Sequence, residues 1–153
     1  MSNVKEEIIA GLQKAYWAEI ETVMNYLAHA HVLDGIRAEE IKASLAADVT
    51  EELDHASQLA KRIRELDGRI DGSMKFEARQ TTNQPPEDST DLLSVIKGVI
   101  DAEEAAISHY KHMIKVCDGE DYVTQDLVIT LLADEEEHLR EFKGFLKAIE
   151  RGI

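Results

Sequence analysis

The chain has 153 residues, of which 44% are hydrophobic and 31% are charged, and its formal net charge at pH 7 is −14. This length suits one domain, residues 1–153, with one sizeable core. Such an acidic surface repels nucleic-acid phosphates, so we expect no nucleic-acid partner, and it concentrates cations.

The single cysteine, Cys117, rules out an intrachain disulfide and fits a reducing compartment. The start of the chain shows no signal-peptide pattern, and no apolar run approaches the roughly 18 residues that span a membrane. We therefore expect a cytoplasmic protein with no membrane partner.

Four long segments without proline succeed one another along the chain, and apolar residues recur in each at helical spacing. The predicted helices cover about residues 3–33, 37–66, 90–117 and 121–151. Thr90 is a predicted N-cap of the third helix. Asp-Gly pairs at 34–35, 67–68 and 118–119 are predicted to end the first three helices.

Loop lengths indicate how the four helices are connected. The first and third connections are short, so each joins two antiparallel helices into a hairpin. The middle connection, residues 67–89, is polar and contains Pro85 and Pro86. About 20 extended residues reach more than 60 Å, whereas a helix of about 30 residues spans roughly 45 Å. The sequence therefore predicts an all-α four-helix bundle of two hairpins joined by a long crossover.

Each predicted apolar stripe is interrupted near its middle by a glutamate, and in the second and fourth helices a histidine follows three positions later. Residues three apart on a helix share a face, so each Glu-x-x-His pair can hold one metal ion. The candidate ligands, which are also the candidate catalytic residues, are Glu19, Glu52, His55, Glu103, Glu135 and His138.

These polar residues form an internal repeat. Glu19 and Glu52 are 33 positions apart, and Glu103 and Glu135 are 32 positions apart. Tyrosines follow the first glutamate of each half by seven positions, at Tyr26 and Tyr110. They are interpreted as core aromatics whose hydroxyls can bind a ligating carboxylate. One Glu-x-x-His pair carries little weight, but a repeat built around the polar residues favours a shared site.

Charge balance supports two divalent cations. Four carboxylates and two neutral imidazoles carry −4, and without metal their burial is opposed by desolvation and mutual repulsion. The alternative is that each residue is separately a salt-bridged or hydrogen-bonded helix residue. The remaining histidines lack a glutamate three positions before them and are interpreted as solvated or interface residues: His29, His31, His109 and His112.

With these residues in place, the chain resembles the ferritin-like superfamily, and within it the bacterioferritin and Dps-like branch with a di-iron site inside the subunit. The resemblance covers nearly the whole chain, and residues 103–110, 119–124 and 132–138 carry it most clearly. It implies two iron ions bridged by Glu52 and Glu135, with the other four candidates each binding one iron. Manganese or zinc would also suit oxygen and nitrogen ligands.

Three positions depart from relatives of this kind. Leu53 stands where bacterioferritins have their haem-ligating methionine, so we expect no haem. Ala105 and Gln125 stand where the Dps-like branch has a cysteine pair. Ala106 stands where rubrerythrins have a further carboxylate, which argues against a rubrerythrin-type peroxidase.

The resemblance implies a ferroxidase that oxidises Fe(II) with O2 or H2O2 and stores iron. Two alternatives remain: a di-metal oxidase, peroxidase or manganese catalase-like enzyme without storage, and a non-catalytic metal-binding scaffold. Storage requires a homo-oligomeric cage. A 12-mer is favoured because no fifth helix follows the fourth before Ile153, although a 24-mer or a dimer remains possible.

Overall fold

The computed structural model describes residues 2–153. Within that range the chain forms four long helices and no strand, which confirms the predicted all-α fold. The helices are α1 (Ser2–Val32), α2 (Glu39–Glu65), α3 (Leu92–Cys117) and α4 (Tyr122–Glu150). Along this described part of the chain, no helix is both long enough and apolar enough to cross a bilayer.

The N-cap of α3 differs from the predicted one. Asp91, not Thr90, caps the helix, because its carboxylate accepts a hydrogen bond from the Ser94 amide. Thr90 instead donates its amide and hydroxyl to the carboxylate of Asp88, one turn before the helix. Asp121 caps α4 in the same way as Asp91, through the Thr124 amide.

The crossover, residues 66–91, runs alongside α1 over most of its length. It starts near Ile9, which lies beside Gly68, and it ends where the Asp34 amide donates to the Ser89 carbonyl. Between these points, side chains of α1 hold it: Gln13 accepts from the Asp71 amide, and Glu21 accepts from the amides of Arg79 and Gln80. The connection that the sequence marks only as polar is therefore fixed to the bundle.

The apolar core is divided into two clusters. One cluster contains Tyr26, Leu45, Ile96 and Phe142, and the other contains Leu12, Leu59, Ile63, Tyr110 and Leu131. The candidate ligands lie in the helices between residues of the two clusters. A polar layer thus crosses the bundle with apolar packing on both sides of it.

The crossover packs closely on α3 at Gly98. A Cβ atom at this position would lie 2.4 Å from the Thr82 carbonyl oxygen and 3.0 Å from Asn83 Cα. Both are backbone atoms, which cannot rotate away as a side chain can.

We therefore expect Gly98→Ala to destabilise the protein, although glycine-to-alanine changes inside helices ordinarily stabilise by about 0.5–1 kcal/mol. The matched control is Gly144→Ala in α4, where an added Cβ meets no atom within 4 Å. Urea unfolding of both variants gives the measurement. A Gly98→Ala protein as stable as Gly144→Ala would contradict the close packing.

Candidate metal centre

All six candidate ligands meet inside the bundle, and each is at most 5% exposed. They form two groups whose potential ligand atoms lie within 4.8 Å of one another. The groups are Glu19, Glu52, His55 and Glu135, and Glu52, Glu103, Glu135 and His138. Glu52 and Glu135 belong to both groups, so the two potential metal positions share two carboxylates.

Both histidines turn the same ring nitrogen toward the shared carboxylates. His55 Nδ1 lies 3.3 Å from Glu19 Oε2 and 3.3 Å from Glu135 Oε1. His138 Nδ1 lies 3.1 Å from Glu52 Oε1 and 3.8 Å from Glu103 Oε1. The nitrogen that faces the centre, which the spacing of the residues does not reveal, is therefore Nδ1 in both halves.

The other ring nitrogen of each histidine contacts a carboxylate that the sequence analysis did not single out. His55 Nε2 lies 2.9 Å from Asp134 Oδ2, and His138 Nε2 lies 2.9 Å from Glu51 Oε2. Asp48 Oδ1 lies 3.4 Å from the same nitrogen of His138. A carboxylate that accepts a hydrogen bond from one imidazole nitrogen orients the ring, so that the other nitrogen faces a metal.

A signal for two of these carboxylates exists in the sequence. Glu51 directly precedes Glu52, and Asp134 directly precedes Glu135, so they repeat with the ligands. Each of the two carboxylates accepts a hydrogen bond from the histidine of the opposite helix. This pairing becomes evident only when α2 and α4 lie side by side. Asp48 has no such counterpart in the repeat.

The two tyrosines also bind across the halves of the chain. The Tyr26 hydroxyl donates to Glu103 Oε1 at 2.5 Å, and the Tyr110 hydroxyl donates to Glu19 Oε1 at 2.9 Å. Burial and the nearby carboxylates raise the pKa of both phenols well above the ordinary value. Both tyrosines therefore stay protonated and hold one oxygen of each carboxylate, leaving the other oxygen free.

The electrostatics of the centre without metal are unfavourable for carboxylates. Burial raises the pKa of Glu52 and Glu135 well above the ordinary value, and the charge of Glu19 adds to the effect. Burial lowers the pKa of His55, but the carboxylates of Glu135 and Glu19 outweigh it and raise that pKa to about 11. For His138, Glu103 similarly outweighs burial and raises the pKa to about 10. Protons thus balance part of the buried negative charge.

Several buried polar atoms at the centre have no hydrogen-bond partner among residues 2–153. They are Glu19 Oε2, Glu52 Oε1 and Oε2, His55 Nδ1, Glu103 Oε2, Glu135 Oε1 and His138 Nδ1. Buried polar atoms in proteins are nearly always hydrogen-bonded, so this many in one place is unusual. Five carboxylate oxygens and two imidazole nitrogens are a donor set that fits two iron, manganese or zinc ions.

His29 does not fit the interpretation of a solvated or interface residue. It is fully buried, and its Nε2 lies 2.8 Å from Asn83 Oδ1 in the crossover. Burial lowers its pKa, which favours the neutral ring. His31 and His112 are exposed as predicted, and His109 is partly buried with its Nε2 against the Gly11 carbonyl.

Comparison with known proteins gives relatives along nearly the whole chain. A bacterioferritin from Desulfovibrio desulfuricans is 27% identical over 141 residues, which cover 92% of this chain and 74% of the relative. A DNA protection during starvation protein from Pyrococcus furiosus is 28% identical over 144 residues, covering 92% of this chain and 77% of the relative.

Solved structures share the fold. The bacterioferritin-related protein of Bacteroides fragilis, described as a dodecameric thioferritin, has a TM-score of 0.85 and 25% identity, covering 96% of this chain and 88% of the other. A ferritin-like diiron-carboxylate protein of Bacillus anthracis has a TM-score of 0.83 and 20% identity, covering 95% and 99%, and supports the fold alone. A family model for the ferritin-like domain matches residues 9–152. The chain therefore belongs to the ferritin-like family, and its relatives include bacterioferritins.

Proposed function

We propose that the protein is a ferroxidase that oxidises Fe(II) at the buried centre and stores the product. The observation that carries this proposal is the pair of overlapping donor groups, each with three carboxylates and one imidazole, that share Glu52 and Glu135. This arrangement can hold two iron ions side by side, so that one oxidant molecule meets both.

Each residue has a distinct part in this proposal. Glu52 and Glu135, which belong to both groups, would hold both ions, while Glu19 with His55 and Glu103 with His138 would each hold one. The ligands contribute −4 when both imidazoles are neutral, which two Fe(II) ions neutralise. Tyr26 and Tyr110 orient the terminal carboxylates through the hydrogen bonds that they donate.

The proposed reaction uses two electrons, one from each Fe(II). With H2O2 as oxidant, two electrons and two protons break the O–O bond and give two water molecules and two Fe(III). With O2, the same two electrons and two protons give one H2O2 and two Fe(III). The protein's contribution is to place two Fe(II) ions together in a dry site.

The comparisons support storage as the destination of the oxidised iron. Relatives include proteins named bacterioferritin and bacterial ferritin, and the Bacteroides fragilis neighbour is described as dodecameric. We accordingly propose a cage of twelve copies that works in the cytoplasm. Storage in a cage is also what separates this proposal from a di-metal oxidase with the same residues.

The bridging glutamates give the most direct test. Glu52→Ala and Glu135→Ala should each lower the rate of ferrous oxidation by more than about 100-fold, because both metal positions lose a shared ligand. The measurement is stopped-flow oxidation of Fe(II) by O2 or H2O2. Glu136→Ala is the control, since Glu136 is an exposed glutamate next to Glu135. If the bridging variants match the parent rate, the proposed reaction is wrong.

The pKa shifts predict how pH affects the stability of the metal-free protein. Folded His55 and His138 have pKa values of about 11 and 10, against an ordinary 6.5, so the folded state holds protons that the unfolded chain releases. Their stabilisation is complete below pH 6.5 and is lost as pH rises toward these folded pKa values, by up to about 1.4 kcal/mol per pH unit and imidazole. The raised pKa of Glu52 and Glu135 acts in the same direction.

Urea unfolding in the presence of a metal chelator, at several pH values between 6.5 and 9, measures this pH dependence of stability. The metal-bound protein should show the opposite trend, because metal competes with protons for the same atoms and binds more tightly as pH rises. If the free energy of unfolding of the metal-free protein increases between pH 6.5 and 9, the assignment of bound protons to His55 and His138 is wrong.

Iron loading tests storage separately from chemistry. Repeated additions of Fe(II) in air should load tens of iron atoms or more per subunit, because a cage holds mineral beyond the two ions of each centre. Light scattering should give the mass of twelve chains. A dimer that retains about two iron atoms per chain would instead identify a non-storing di-metal enzyme.

A further inference from the structure

A large cavity lies between α1 and α3, beneath the crossover. Its volume is about 1010 Å³, and its lining includes Glu19 and Tyr110, the hydrogen-bonded pair beside the centre. Glu19 is only 2% exposed, and its Oε2 has no hydrogen-bond partner among the described residues. The cavity therefore extends from the crossover to a proposed ligand of the metal centre.

Small side chains keep the space between the two helices open. Six alanines line it: Ala10, Ala15, Ala18, Ala102, Ala105 and Ala106. Ala106 lies one helical turn from Tyr110 and one from Glu103, which places it at the depth of the centre. Larger residues here would let α1 and α3 interlock, as helices do when their side chains fill the gap between them.

The acidic side chains along this cavity, apart from Glu19, are already paired. Both Glu21 oxygens accept from backbone amides of the crossover, and Asp101 accepts from the Thr82 hydroxyl. Glu77 pairs with Arg79. Lys14 adds a positive charge to the lining. Apart from His112 and Glu19, which also line the cavity, a dication would find few unpaired ligands along the alanine surface, whereas an uncharged molecule needs none.

A second approach to the centre lies between α2 and α4 and has the opposite character. Glu51 and Asp134 have side chains that are 42% and 41% exposed, and they contact the outer nitrogens of His138 and His55. Behind them Asp48 is 6% exposed, and its Oδ2 has no hydrogen-bond partner among the described residues. These carboxylates attract cations from solvent.

We propose that a neutral oxidant, O2 or H2O2, reaches the centre through the alanine-lined cavity between α1 and α3, while the metal ion enters between α2 and α4. The inference rests on the proposed function, since it assigns routes for the two reactants of that reaction. It makes Ala106 a residue that sets the rate for the oxidant and not the affinity for the metal.

The test fills the cavity and measures the two reactants separately. Ala106→Phe and Ala105→Phe add a ring inside or at the edge of the cavity, and Ala43→Phe adds the same ring at an exposed position on α2 outside its lining. Anaerobic binding of Co(II), followed by its visible absorption, reports the metal route. Mixing protein already loaded with Fe(II) against O2 or H2O2 reports the oxidant route.

For Ala106→Phe we expect the bimolecular rate constant with the oxidant to fall by about tenfold or more, a barrier increase of about 1.4 kcal/mol. Its Co(II) binding rate and affinity should remain those of the parent, and Ala43→Phe should match the parent in both. Lys14→Glu should leave Co(II) binding unchanged, because the metal does not pass this residue.

Three results would overturn the inference. One is parent oxidation rates in both Ala106→Phe and Ala105→Phe, with helical content confirmed by circular dichroism. Another is a loss of Co(II) binding rate that parallels the loss of oxidation rate. The third is faster Co(II) binding by Lys14→Glu. A parent protein that binds no Co(II) would overturn the proposed function itself, which is a separate and recognisable outcome.

Discussion

Burying four carboxylates in the middle of an apolar bundle is the constraint to which the rest of this structure responds. Glu19, Glu52, Glu103 and Glu135 lie within a layer that water barely reaches. Without metal, protons on His55 and His138 and raised carboxyl pKa values offset part of the repulsion. The two apolar clusters on either side supply the packing that keeps this costly layer in place.

The same constraint explains why so many polar groups surround the layer. The phenols of Tyr26 and Tyr110 each hold a carboxylate oxygen, and Glu51 and Asp134 each hold an imidazole nitrogen. Every one of these contacts joins different helices. The polar layer thus sets the relative positions of the helices more specifically than apolar packing alone does, because a hydrogen bond has narrower geometry than a hydrophobic contact.

The sequence was sufficient for the helices and for the convergence of the six candidate ligands, because helical spacing fixes which residues share a face. The sequence did not identify the hydrogen-bond partner of a side chain where that partner lies on a different helix or in the crossover. The pairing of Asp134 and Glu51 with histidines of the opposite helix becomes evident only once α2 and α4 are neighbours. The buried His29 contacts Asn83, which lies in a segment without periodicity. At the start of α3, Thr90 and Asp91 are both reasonable caps, and only the local turn at Asp88 decides between them.

The anchoring of the crossover has a consequence for the path that the connection between the two hairpins takes. The repeat places α1 and α3 in equivalent positions, so a connection along either helix would satisfy the apolar pattern of both hairpins. The anchors on α1 are Gln13, Glu21, Asn25 and His29, and the equivalent positions on α3 are Lys97, Ala105, His109 and Met113. On α1, Gln13 and Glu21 accept hydrogen bonds from backbone amides of the crossover, and Asn25 and His29 donate to its side chains. Lys97 and Ala105, at the positions equivalent to Gln13 and Glu21, offer no side-chain acceptor. A chain whose halves resemble each other can therefore still distinguish a connection along α1 from one along α3.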